Sequence, residues 1–304
     1  MIKPIDSNLE SLQCPDKKLV LKTDEKIQAR LSLWWENTPL YDGKKVGYIG
    51  HFEAVDQQSA KKILQDACSY LKRYQCEVVI GPMDGNTWFS YRWITEKGQD
   101  SLFLTEPKHP DVYPKYFESF GFLPVAKYNS TLASVETKSR TQPIKGADIT
   151  VKLLDLENFE HYLMDLYHLS SACFKDNFLY SPISYETFCQ LYHPLKPLLS
   201  PEFVLFAYKD NKMIGFVLCI PDLSQKQAGK KVDQVILKTL AVHPDYRNLK
   251  LGSYLVSQIH KTALEQGYKK IIHAFMHEQN VSQKISQHYG KKIREYTLYK
   301  LDIT

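Results

Sequence analysis

The sequence predicts an α/β protein of two related halves, each with a mixed central sheet flanked by helices. Three observations carry that expectation. Two amphipathic helical patterns each run into a short β-branched stretch, 59–75 into 78–80 and 252–267 into 271–272, and both pairs are offset by 193 residues. Each unit is entered through a strand-like run and left through a further helix and strand. The polar segment 136–148, with Pro143 and Gly146, has the composition of a linker between the two units.

Taken in order, 46–54 reads as a strand and 59–75 as a helix with Ala60, Ile63, Leu64, Ala67, Cys68 and Leu71 on one face. The run 78–80 is a buried strand stopped by Gly81 and Pro82, and 111–120 and 122–132 are the closing helix and strand. Only about 45 residues precede the first of these strands, so this half should lack most early helical cover. Its extra length, 83–110, falls between strand and second helix. The second half is fuller: a strand at 149–154, helices at 158–174 and 185–192, and strands 203–208 and 213–220 joined at Asp210-Asn211-Lys212 as a hairpin. Strand 235–242, a helix carrying Leu255, Val256, Ile259, Ala263 and Leu264, strand 271–272, helix 280–289 and strand 293–301 complete it. The expected domains are 1–135 and 149–304.

With 304 residues, 24% charged and 43% hydrophobic, the chain is neither disordered nor a small disulfide scaffold. The longest apolar stretch, 213–221, is far short of the roughly 20 residues of a membrane helix, and 1–20 lacks a secretion signal, so a cytoplasmic chain without membrane contact is expected. Six scattered cysteines form no C-x-x-C pair and read as buried thiols. His273 and His277 do not share a helix, and no metal is expected. The net charge of +5 divides as +1 on 1–140 and +4 on 141–304, too slight for a nucleic-acid footprint but suited to a phosphate-bearing small molecule on the second half.

The stretch Leu240-Ala241-Val242-His243-Pro244-Asp245-Tyr246-Arg247-Asn248-Leu249-Lys250-Leu251-Gly252-Ser253 sets a strand, a tight loop and a helix start in sequence. A helix start presents unpaired N–H groups and the positive end of the helix dipole, which bind phosphates. Here the sequence resembles the GNAT acetyltransferase superfamily, whose signature R/Q-x-x-G-x-G/A follows a strand ending in Val. Arg247 matches its first position and Gly252 its last, while Lys250 stands where the family has its first glycine. The resemblance covers about 149–301 and implies acetyl-CoA as acyl donor, held by Leu240, Ala241, Val242 and Arg247 to Ser253. Asn280 and Ser282 open a helix where the family carries an Asn near the cofactor's pantetheine. The family's general acid for the leaving thiolate is a Tyr about seven residues later; Gln287 has that spacing, and the nearest tyrosine is Tyr289, a candidate acid or a core-packing ring. Lys238, Thr239 and His243 are the base candidates on and after the strand.

In the first half the corresponding place, 51–60, has neither Arg nor Gly at the family's positions, so no coenzyme site is expected there. The half's information lies in Gly81-Pro82-Met83-Asp84-Gly85-Asn86-Thr87-Trp88, then Tyr91-Arg92-Trp93, then Glu106-Pro107. Such a loop, dense in Gly, Asp, Asn, aromatics and Arg at the end of a buried strand, suits a recognition pocket or a rigid plug between the halves. Its Gly-Pro-Met stretch is similar to one in tandem-GNAT proteins of unassigned substrate. Asn86, Trp88, Tyr91, Arg92 and Glu106 are the expected acceptor contacts, and Asp84 or Glu106 could hold an amine or act as base. The expected function is N-acetyl transfer from acetyl-CoA to a primary amine of a small molecule or peptide, in the cleft between the halves. The alternatives are a tRNA-dependent aminoacyltransferase of tandem GNAT fold and a non-catalytic acyl-CoA-binding or interaction module.

Overall fold

The structure, a computed structural model, describes residues 10–135, 144 and 148–303. The expected linker 136–148 lies outside the described residues except for 144 and 148. The chain opens with α1 (Glu10–Gln13) and a hairpin of β1 (Lys17–Thr23) and β2 (Lys26–Trp34), which the sequence pattern did not reveal. Asp24 and Glu25 make its two-residue turn with φ of 47° and 62°. Then come β3 (Val46–Ala54), α2 (Gln57–Arg73) and β4 (Val78–Gly81). The Asp56 carboxylate accepts the Ser59 N–H at 2.7 Å and caps α2. After it follow β5 (Trp93–Glu96), α3 (Tyr113–Phe120) and β6 (Leu123–Ser134).

The second half holds β7 (Thr150–Leu153), α4 (Phe159–Phe174), α5 (Tyr185–Tyr192), β8 (Val204–Lys209) and β9 (Lys212–Pro221). Asp210 and Asn211 turn that hairpin with φ of 50° and 61°, the conformation these residues tolerate. It ends with α6 (Ser224–Gln227), β10 (Gln234–Val242), α7 (Leu251–Glu265), β11 (Lys270–His277), α8 (Val281–Ser286) and β12 (Gly290–Asp302).

All strands join one sheet in the order β1-β2-β3-β4-β12-β6-β11-β10-β9-β8-β7, with β5 paired to β12. About the β12–β6 pair, the two closing strands, β4-β3-β2-β1 on one side answers β11-β10-β9-β8 on the other, with β7 as an additional edge strand of the second half. Those strands are exchanged: β12 runs against β4, with Tyr299 opposite Gly81, and β6 against β11, with Lys270 opposite Ser134. Each half is thus completed by a strand of the other.

Helices cover both faces. Along β9, nearly every residue is buried: Phe216, Leu218 and Ile220 meet α4 and α5, while Ile214, Val217 and Cys219 meet α7. In the first half Ile63, Leu64, Ala67 and Leu71 of α2 pack on Leu31, Leu33, Ile49 and Val79. No helix among the described residues is long and apolar enough to cross a membrane. The expectation of buried thiols holds for Cys76, Cys173 and Cys219; Cys68 and Cys189 are half-buried, and Cys14 is exposed because it lies on the short segment ahead of the first hairpin.

His260 of α7 and His273 of β11 are buried with their Nε2 atoms 3.1 Å apart, and burial pushes them down to about 4 and about 3. Both are neutral in the folded chain near pH 7, whereas an unfolded histidine takes up its proton near pH 6.5. The folded state is therefore at full stability above pH 6.5 and loses it as the pH falls towards 4. His260 alone accounts for about 3 kcal/mol of that loss. Urea unfolding at pH 7 and pH 4 should show a clearly smaller drop in a His260→Phe/His273→Leu variant than in the natural chain.

Candidate active site

β10 and β11 pair in parallel only over Gln234–Leu237 and Lys270–His273. Beyond that point β10 continues against β9 and β11 against β6, so the two strands separate. Lys238 sits at the separation as a bulge, unpaired between Leu237 and Thr239 in the ladder with β9. From there Thr239 to Val242 present one backbone edge to the gap. The chain then makes a short 3₁₀ turn, Pro244–Leu249, and enters α7 through Lys250. The helix ladder begins with the Tyr254 N–H, which donates to the Lys250 carbonyl at 3.0 Å. The N–H groups of Leu251, Gly252 and Ser253 precede it and face the positive end of the dipole.

Lys250 adopts φ 59°, ψ 19°, the left-handed conformation in which glycine is unstrained. The departure from the family signature thus falls on the residue whose backbone most favours glycine. A left-handed non-glycine residue costs about 1–2 kcal/mol, and the greater freedom of glycine in the unfolded chain returns about 0.4–1 of it. Lys250→Gly is expected to stabilise the chain by up to about 1.6 kcal/mol in a urea titration.

The gap opens into a cleft of about 1990 Å³, lined by Leu240, Val242, Arg247, Lys250, Gly252 and Ser253 on one side and by Trp88, Tyr91 and Arg92 on the other. Ala241, Asn280 and Ser282 also line it; Asn248, Leu249 and Leu251 do not. Leu251 is a core residue packed under Gly215, so only its backbone can serve a ligand. Of the base candidates, Lys238 and Thr239 line the cleft. His243 turns away, its Nδ1 accepting the Asp245 N–H at 3.4 Å and its ring lying against Tyr246.

The first half parts in the same way, and the chain folds partly into the opening, although His51, Phe52, Glu53 and Asp84 still border the same cleft. β3 and β4 pair only as far as Tyr48 and Ile80, and the segment after β4 folds back so that the Met83 N–H bonds the Ile49 carbonyl at 2.8 Å. The Asp84 carboxylate accepts the His51 N–H at 2.7 Å. Gly50 permits this closeness: a Cβ there would lie 2.4 Å from both the Met83 carbonyl and Asp84. Asp84 thus anchors the segment that folds into the first half's gap through one carboxylate oxygen, while the residue still borders the cleft.

Three other expectations change. Glu106 is fully buried: Arg294 donates to it through Nε at 2.7 Å, Tyr296 through its hydroxyl at 2.6 Å, and the Phe103 N–H at 3.1 Å, which leaves no oxygen for an acceptor amine. Tyr289 is absent from the cleft lining; its ring stacks on His260 with centroids 4.1 Å apart, behind β11, so it has no route to a leaving thiolate. Asn86 also stays outside the lining, its side-chain oxygen accepting the Trp88 N–H at 2.9 Å within the turn. Trp88 lines the cleft and also wedges against Phe174 and Phe188, donating its Nε1–H to the Ser181 carbonyl at 3.0 Å.

Sequence reasoning missed Tyr128 and Phe275, which face Arg92, and the segment after α4 that brings Asp176, Asn177 and Phe178 to the cleft. The first two lie in strands whose alternation marks them only as core. The third had the Asp, Asn and aromatic density that singled out 83–93.

Comparison with known proteins bears on the family and the fold. Residues 163–288 match the model of the acetyltransferase (GNAT) family. A GCN5-related N-acetyltransferase from Sphaerobacter thermophilus superposes with a TM-score of 0.55 at 10% identity, over 94% of this chain and 81% of that one. A tandem GNAT protein from the clavulanic acid biosynthesis pathway gives 0.52 at 9%, over 100% and 90%. A GCN5-related N-acetyltransferase from Anabaena variabilis gives 0.56 at 7%, over 98% and 66%. No curated protein matches the chain. At these identities the superpositions speak for the fold, and the fold is that of the GNAT proteins, with the family's sequence signature in the second half. Acyl transfer is the class of chemistry this architecture supports.

Proposed function

We propose that the chain is an N-acetyltransferase of two GNAT-like halves, 1–135 and 149–304, which moves an acetyl group from acetyl-CoA to a primary amine. The observation that carries this reading is the open gap between β10 and β11, ending at a helix start with no side-chain cap and facing a loop of the other half. The N–H groups of Leu251, Gly252 and Ser253, with Arg247 and Lys250, would hold the pyrophosphate. The free edge of Thr239 to Val242 would pair with the pantetheine amides as an added strand, with Asn280 and Ser282 across the gap. Gly252 fits that task, because a Cβ there would stand among Leu240, Val242 and Ile285 at the mouth of the gap.

When bound, acetyl-CoA supplies an activated thioester. The chain positions a neutral amine against it from the first-half side, and backbone N–H groups of β10 polarise the carbonyl. The new C–N bond replaces the C–S bond, and water in the open cleft carries the amine's proton towards the thiolate. Calorimetry should find one acetyl-CoA per chain, and thiol release with a panel of amines should identify the acceptor. A stoichiometry of two would contradict the expectation of no coenzyme site in the first half. Binding with no turnover on any amine would favour a non-catalytic acyl-CoA-binding module.

A further inference from the structure

Resting on that reading of the cleft, we propose that Arg92 and Lys238 together hold a carboxylate group of one of the two reactants. Arg92 lies on the acceptor side, its guanidinium carbon 4.2, 4.4 and 4.8 Å from the ring centres of Tyr91, Tyr128 and Phe275. Its Nη1 donates to the Tyr91 hydroxyl at 2.8 Å, so the head group is fixed by rings and a neutral phenol and not by a counter-charge. The residue holds φ 74°, a strained backbone for arginine that turns the side chain into this box. Lys238, on the bulge where β10 leaves β11, reaches the same cleft from the other wall.

Among the described residues neither cation forms an ion pair, and the buried carboxylate of Glu106 is taken by Arg294. The Arg92 charge is felt at Lys238, whose ammonium burial and then Arg92 push down; on the same wall burial lowers His277, Glu278 opposes that and Arg92 adds to it. Like charges brought together in a half-buried place are costly until an anion sits between them. The planar fork of Arg92 and the point charge of Lys238 suit a carboxylate. Its position at the meeting of the two walls gives two sources: an acceptor that carries an acid group, such as an amino acid, or an acyl group that ends in one.

The test compares acid with amide. With acetyl-CoA, the natural chain should acetylate an L-amino acid at least about 10-fold more efficiently than its carboxamide in kcat/KM, and Arg92→Gln or Lys238→Gln should each remove most of that ratio. If the acid belongs to the acyl group, the same ratio and its loss appear between succinyl-CoA and butyryl-CoA with an uncharged amine. A purely structural role for Arg92 would lower acid and amide alike. Lys238→Gln keeps the test open if Arg92→Gln does not fold. Binding is read separately by calorimetry with N-acetylphenylalanine and its carboxamide: tighter binding of the acid, lost in both variants, is expected. Equal affinity for acid and amide, together with no acid selectivity in either transfer arm, overturns the proposal. Failure of acetyl-CoA to bind overturns instead the acetyltransferase reading, and the two N-acetyl compounds still decide the carboxylate site.

Discussion

Replacing Arg294 by Met while Glu106 remains is expected to cost about 3–5 kcal/mol of stability, seen as a lower urea midpoint with little change in slope. Both side chains are fully buried, so the variant strands a carboxylate in the core. It also frees the loop before α3, because Arg294 Nη2 donates to the carbonyls of Asp100 and Ser101, each at 3.1 Å. A second change, Glu106→Gln, should recover more than half of the loss: the amide oxygen still accepts the Tyr296 hydroxyl, and no charge is left behind. The pair is not perfectly satisfied, since Arg294 Nη1 is buried without a partner, which lowers what the intact pair contributes over a neutral one. If the single variant lost less than about 1 kcal/mol, the loop would have to relax enough to hydrate Glu106.

Gly252→Val is expected to weaken acetyl-CoA binding about 100-fold in calorimetry, the equivalent of losing one or two charge-assisted bonds from helix N–H groups to phosphate. A Cβ at Gly252 would lie 3.5 Å from Ile285 Cδ1 and 3.7 Å from Leu240 and Val242, all ordinary contacts. Alanine therefore fits, and Gly252→Ala should change affinity less than about 3-fold while favouring the helix by up to about 1 kcal/mol. Valine adds two methyl groups beyond that contact distance, at the mouth of the gap where a phosphate would approach. Tight binding by the valine variant would move the coenzyme elsewhere in the cleft.

The sequence by itself determined most elements of both halves from 46 onward, though not β5 or α6, and that a family-like loop pattern stands at Arg247 to Ser253 and not in the first half. These are local: helical periodicity, β-branched runs, turn residues and a helix start are written within a few residues of one another. Only the tertiary structure decided the roles of the carboxylates and of Tyr289. Glu106 meets Arg294 from 188 residues away, and Tyr289 meets His260 across a strand. Nothing in the spacing of residues records which face of a strand a loop will reach. The exchange of β6 and β12 is of the same kind, since either strand has the same alternation whichever half it completes. The fold-back of Met83 and Asp84 and the placing of Arg92 and Lys238 on one cleft depend on where the strands part. Pairing and splay set the site, and both are properties of the assembled sheet.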